Sequence, residues 1–383
     1  MGRYRWLILT AGTLAATSLS AVQVGISAIT PALRSQYGLS IGEIGIVIAA
    51  TNAGMVLTLL AWGIVSDRFG ERIAIVLGLT GSAISLVVAA NVNGFAALVA
   101  ALFATGAFGA SVNSASGRAV MHWFAPDEHG LALGIRQAAI PIGGFAAAVA
   151  LPAIVGAGGV HAAFVALAVN AAVWAALAGL VLRERHVDED IAEQFVSPLR
   201  DFRMWLLCSA SAFVLAGQLA IMAFVVLFLH DERGFSTAHA ALVLAVVQVG
   251  GAVVRIVVGR RSDRERRRVP LFRKLGTALA VALAAAAALV HSPIGVLVPV
   301  LVLAGILGMS WNGLSFTAAA EAAGPRRSGA AIGFQQTVLG VGGIVIPVAF
   351  ATLVSGASWQ IAFLASGASA LAGAALLRPL RSL

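Results

Sequence analysis

The chain has 383 residues, of which 60% are hydrophobic and 11% charged, and its mean hydropathy is +0.96. Soluble domains carry roughly a quarter of their residues as charges, so an ordinary soluble domain is excluded and lipid is the expected solvent. The net charge of +9 and the pI of 11.3 would suit a nucleic-acid binder, but nearly all the basic residues sit in loops on one side of a series of apolar runs, so no nucleic-acid partner is expected.

Crossing a ~30 Å hydrocarbon core takes about 20 residues. Twelve such runs are predicted: 6–33, 43–65, 72–90, 95–123, 130–156 and 161–182, then 204–230, 237–258, 272–290, 294–322, 329–354 and 359–377. The first follows Arg3 and Arg5 as a signal peptide would, but its 28 residues are too many for a cleaved apolar region and it is kept as a mature helix. It carries Gln23, and the second run carries Asn52 before ending in the charged turn Gly63-Ile-Val-Ser-Asp67-Arg68-Phe-Gly70-Glu-Arg72. Asn113 and Arg118 lie in the fourth run, and Arg136 and Gln137 lie early in the fifth. The most polar stretch, Arg183 to Arg203, reads as a linker, giving an organisation of 1–182, 183–203 and 204–383. Gln218 lies in the seventh run, Gln248 and Arg255 in the eighth, and a second charged turn runs from Gly259 through Asp263 and Arg264 to Arg268. Trp311 and Asn312 sit in the tenth run, with Glu321 near its end, and Gln335 and Gln336 open the eleventh. Pro141 and Pro347 are expected to bend their helices.

The halves repeat one another. The charged turns are offset by 196 residues, and an offset of 199 matches 13 of the 39 positions from Gly106 to Gly144, among them Asn113 with Asn312, Ser116 with Ser315 and Gln137 with Gln336. A parallel repeat of this length is one of the plans on which secondary transporters are built. Of the 25 Lys and Arg, Arg34 and Arg233 alone fall in loops on one side, Arg118, Arg136 and Arg255 lie within runs, and the remaining 20 are on the other side. Both termini and both charged turns are therefore expected in the cytoplasm. One lysine against 24 arginines, with abundant alanine, points to a GC-rich bacterial genome and so to a bacterial cytoplasmic membrane.

At a helix end, an aspartate can accept backbone N–H bonds and an arginine can pair with a carboxylate. Asp67 and Arg68, with Asp127 and Glu128 nearby, and Asp263 and Arg264, with Glu321, read as latches that close in one state; the bland alternative is loop charges that merely set topology. Ionisable residues within spans usually face an interior or aqueous cavity, which makes Arg136, Arg255 and Arg118 candidate ligands for a substrate anion. Long arginines also snorkel or brace helices, so that reading stays beside the first. Gln137, Gln335 and Gln336 could bind further oxygens, while Asn113, Asn312, Asn52, Gln248, Gln23, Gln218 and Trp311 serve equally as cavity groups or packing residues.

The Gly63-x3-Asp67-Arg68-x-Gly70-x-Arg72 turn resembles the signature of the major facilitator superfamily, and its partial copy lies where that family repeats it. Together with twelve runs, the linker and the parallel halves, the resemblance covers nearly the whole chain. It implies an all-α membrane protein of twelve transmembrane helices in two pseudo-symmetric six-helix bundles, working as a monomer by alternating access around a midplane site. Gly63, Asp67, Arg68, Gly70 and Arg72, with Gly259, Asp263, Arg264 and Glu321, then take the gating role. The spacing Arg255-x3-Gly259-x3-Asp263 is similar to the eighth helix of organic-anion members, including oxalate:formate antiporters and monocarboxylate transporters, in which that arginine is implicated in binding the anion. Leu59 stands at the repeat-related position, so the paired arginines of nitrate porters are absent.

No Asp or Glu lies deep within a run, which argues against a proton-coupled exporter of cationic drugs. Leu102 also replaces the fourth-helix arginine of many proton-coupled members, leaving His122, His161 and Glu321 as the remaining proton carriers. No phosphate-cradling Gly-Lys-Ser/Thr loop and no metal-ligand spacing is found, so neither an ATP-driven pump nor a cofactor or metal is expected. The lone Cys208 excludes a disulfide framework. The reading is a secondary active or facilitative transporter, not an enzyme, that moves a small organic anion of the carboxylate class, with proton coupling, exchange for a counter-anion and facilitated diffusion all left open. A multidrug or amphipathic efflux protein and a non-transporting membrane sensor are the alternatives.

Overall fold

The computed structural model describes residues 4–124, 135–136, 138–182, 201–265, 268–323 and 328–380, apart from the side chains of 67, 117–122, 263–265, 320, 328–330 and 332. Among the described residues the chain is helical throughout: α1 Tyr4–Ala28, α2 Thr30–Tyr37, α3 Ile41–Phe69, α4 Glu71–Asn91, α5 Phe95–Trp123, α6 Ala139–Val181, α7 Phe202–Asp231, α8 Thr237–Glu265, α9 Arg268–Ala288, α10 Ile294–Met309, α11 Asn312–Ala323, α12 Ser328–Gly356 and α13 Trp359–Leu376. Eleven apolar stretches among the described residues are long enough to cross a membrane, α10 and α11 forming one of them. At 43 residues, α6 counts as two, because Gly158 and Gly159 leave helical geometry and Gly159 has φ +70°. The twelve expected spans are all present.

Two spans differ in detail from the apolar runs. The first does not continue smoothly to residue 33: it breaks at Ile29, and α2 restarts with a proline in its first turn and stops at Gly38 in the left-handed region. The tenth breaks at Ser310–Trp311, between α10 and α11. A run of apolar residues cannot reveal these two breaks, since hydropathy is the same on both sides of each, whereas the Gly158–Gly159 kink joins the fifth and sixth spans in the expected gap between them.

Two compact units emerge from the contacts: Met1–Ile191 with Phe235–Ala245, and Ala192–Gly234 with Val246–Leu383. In the first, α1 packs along α6, α3 along α5, and α4 against both α5 and α6. In the second, α7 packs against α12 and α13, and α9 against α10 and α13. Apart from α3–α5, these are corresponding pairs of the repeat. Close approach in lipid depends on small residues. A Cβ on Gly54 would lie 1.9 Å from the Phe103 carbonyl oxygen, and one on Gly106 would lie 1.8 Å from that of Thr51, so α3 and α5 cross backbone to backbone. Hydroxyls within the spans, such as those of Thr58, Thr105 and Ser211, donate to carbonyls four residues earlier and so remain satisfied without water.

Most of the linker lies outside the described residues; its last residues begin α7, where Asp201 caps the helix by accepting from the Arg203 N–H at 2.9 Å.

Candidate functional site

In the first unit, Asn113 and Ser116 lie three residues apart on α5 and so share a face. Arg136, in the residues preceding α6, straddles them: Nε donates to Ser116 Oγ at 2.8 Å, and Nη2 donates to the Asn113 carbonyl at 3.1 Å and to Asn113 Oδ1 at 3.4 Å. The Asn113 amide donates on to Met55 Sδ at 3.2 Å. Gln23 Nε2 reaches the same sulfur at 3.7 Å and Asn52 Oδ1 at 3.5 Å. One polar chain therefore runs across α1, α3 and α5 to Arg136. Its members Gln23, Asn52, Asn113 and Arg136 are all half-buried.

In the second unit the tenth span supplies the acceptors through its own break. Met309 ends α10 and Asn312 starts α11, and Arg255 of α8 bridges them, with Nε donating to the Met309 carbonyl at 2.9 Å and Nη2 to Asn312 Oδ1 at 3.4 Å. A helix C-terminus offers unsatisfied carbonyls and the negative end of a dipole, which suits a guanidinium. Such a break is tolerated at membrane depth when a neighbour re-satisfies the backbone. Arg255 is half-buried as well. Neither Arg136 nor Arg255 meets a carboxylate among the described residues.

The other expected residues are placed as follows. Gln335 is fully buried, and its Nε2 donates to Ser315 Oγ and, at 3.2 Å, to Ser211 Oγ. Arg136 on Ser116 and Gln335 on Ser315 are thus the same contact in the two halves. Gln336 is exposed. Trp311 is fully buried and stacks on Phe272 with centroids 5.4 Å apart, its indole N–H unpartnered. Gln248 is fully buried with both amide atoms unpartnered, and the Gln218 carbonyl is also buried without a partner. Gln137 and the side chain of Arg118 lie outside the described residues. Reading the sequence missed Ser116, Ser211, Ser315 and Met55 as site members. The matching of Ser116 with Ser315 across the repeat was the available signal.

At the charged turns, the side chains of Asp67, Asp263 and Arg264, and Asp127 and Glu128 entirely, lie outside the described residues. Gly70 has φ +90° and ψ +161°, a glycine region of the map; it ends α3 by donating to the Ser66 carbonyl at 3.0 Å and starts α4. Arg68 is exposed, its guanidinium 5.5 Å from the Phe69 ring centroid. Gly63 and Gly259 face open space. In the second turn, Arg268 donates from Nε and Nη2 to Glu321, both at 3.2 Å, and from Nη1 to Ser262 at 2.7 Å, tying the ends of α8, α9 and α11 together.

A family model described as Major Facilitator Superfamily matches residues 8–347. The chain belongs to the major facilitator superfamily. The "Uncharacterized MFS-type transporter Rv2994" of Mycobacterium tuberculosis is 32% identical, with 99% of this chain and 86% of that protein covered. The "Probable sulfoacetate transporter SauU" of Cupriavidus necator is 27% identical, with 90% and 86% covered. A solved D-xylose-proton symporter superposes with a TM-score of 0.82 at 15% identity, covering 98% of this chain and 97% of that one, which speaks to the fold alone. This superfamily member is an integral membrane transporter of small molecules, and transport is the activity that its family and relatives indicate.

Proposed function

We propose that this transporter moves a small organic anion, a carboxylate, across the bacterial cytoplasmic membrane by alternating access, as a monomer with both termini in the cytoplasm. The observation that carries the reading is the pair of arginines within the spans, each half-buried and neither neutralised by a carboxylate among the described residues. A buried charge is costly unless it is compensated, and a substrate anion would supply the compensation. The arginines are also not fully used by the protein. Each donates through Nε and Nη2, which leaves the Nη1 edge of a planar, permanently charged fork for an incoming carboxylate. Asn113 and Asn312 orient the guanidiniums, and Gln23, Asn52 and Met55 extend the polar surface in the first unit. A proton taken up with the substrate, or a counter-anion exchanged for it, balances the charge. The similarity to a protein named as a probable sulfoacetate transporter, sulfoacetate being a carboxylate-bearing anion, supports the same class.

Thermal-shift titration of the purified protein against small carboxylates, inorganic anions and lipophilic cations tests this, because a ligand that binds the native state raises its apparent stability. Carboxylates should stabilise the wild type, and Arg136→Gln and Arg255→Gln should each need at least ~10-fold more ligand for the same shift, the scale of a lost charged hydrogen bond. Stabilisation by lipophilic cations alone, unchanged in both variants, would replace the anion reading with efflux of amphipathic compounds.

A further inference from the structure

A groove of about 730 Å³ runs along the outside of the first unit between α4 and the second limb of α6. Small residues, including Ala83, Ala168, Ala172 and Ala175, form its floor, and the exposed Ile84, Val169 and Leu180 stand along its rim. From Arg72 at one end to Val87 it extends 15 residues along α4, about 22 Å, which exceeds half of a ~30 Å hydrocarbon core. Arg72 is exposed and contributes the groove's one charge.

The repeat explains why this arginine is available. The equivalent residue, Arg268, is held by Ser262 and Glu321. The position matching Glu321 in the first half is His122, so among the described residues no carboxylate takes the place of Glu321 at Arg72.

We infer that the α4–α6 groove is a lipid site: it seats one acyl chain of an anionic phospholipid, whose phosphate pairs with Arg72. A slot that is apolar along its length and cationic at one end matches such a lipid in both shape and charge. A zwitterionic lipid would place an ammonium group beside the arginine and lose that preference, since each cation near the cytoplasmic surface favours anionic headgroups.

Native mass spectrometry of the full chain, released from nanodiscs of phosphatidylglycerol and phosphatidylcholine in equal amounts, reads this directly. The wild type should retain phosphatidylglycerol over phosphatidylcholine. Arg72→Gln should reduce that preference about fivefold, the effect of one cation at an anionic surface. Ala172→Phe, which fills the groove from an exposed position, should abolish the retained lipid, while Val281→Phe, exposed and away from the groove, should behave as the wild type. The inference is overturned if the wild type retains the two lipids equally, if Ala172→Phe retains lipid as well as the wild type, or if the groove variant abolishes a dimer and not a lipid adduct.

Discussion

Arg136 and Arg255 engage the same residue of the repeat, Asn113 in one unit and Asn312 in the other, but reach it from different helices. Each arginine has an uncharged equivalent in the opposite half, Gln335 and Leu59, so the halves share a scaffold and divide the cationic chemistry. The presence of these side chains within spans was legible in the sequence, because an arginine in an apolar run stands out by itself. Their partners were not. The Met309 carbonyl becomes an acceptor through a helix break that hydropathy does not mark, and the meeting of Arg136 with Ser116 depends on packing across 20 residues. Gln248 carries a separate prediction. A fully buried amide with neither atom bonded costs about 1–3 kcal/mol, which is tolerable if another state of the transport cycle satisfies it. Gln248→Met should therefore raise the apparent melting temperature in detergent while slowing uptake into proteoliposomes. A lower melting temperature would mean that the amide is already satisfied.

At the scale of elements, the glycines matched across the repeat predict unequal sensitivities. Gly106 meets the Thr51 backbone at 1.8 Å from a built Cβ, whereas its counterpart Gly305 meets the Val247 side chain at 2.6 Å. A side chain can change rotamer and a packed backbone cannot, so Gly106→Ala should cost about 3 kcal/mol and Gly305→Ala distinctly less, ranked by thermal unfolding of the two variants side by side. Gly70 makes a third case. Its φ of +90° and ψ of +161° would cost a residue with a Cβ about 1–3 kcal/mol, so Gly70→Ala should destabilise the α3–α4 turn even though the side chain is small. This could be anticipated from the signature turn, whereas the severity at Gly106 could not, because Gly106 and Gly305 look identical in sequence. Span existence and order were legible because twenty-residue apolar runs are a strong signal, and the Gly158–Gly159 break falls in the expected gap between the runs 130–156 and 161–182; the breaks at Ile29 and Ser310–Trp311 depend on local geometry that composition leaves open.

For the whole molecule, duplication explains both the fold and the proposed mechanism. Most of the packed helix pairs of the first unit recur in the second, and each unit holds one arginine on its repeated asparagine. If both arginines bind the substrate anion, as proposed above, the loss of either should weaken its binding. The most direct test is a double-mutant cycle on the dissociation constant of the stabilising anion, measured for the wild type, Arg136→Gln, Arg255→Gln and the double variant. Each single substitution should weaken binding at least ~10-fold, and the double should depart from the product of the two by a coupling of at least ~0.5 kcal/mol. Wild-type affinity in either single variant, or effects that simply multiply, would contradict the proposal that both arginines act on the anion.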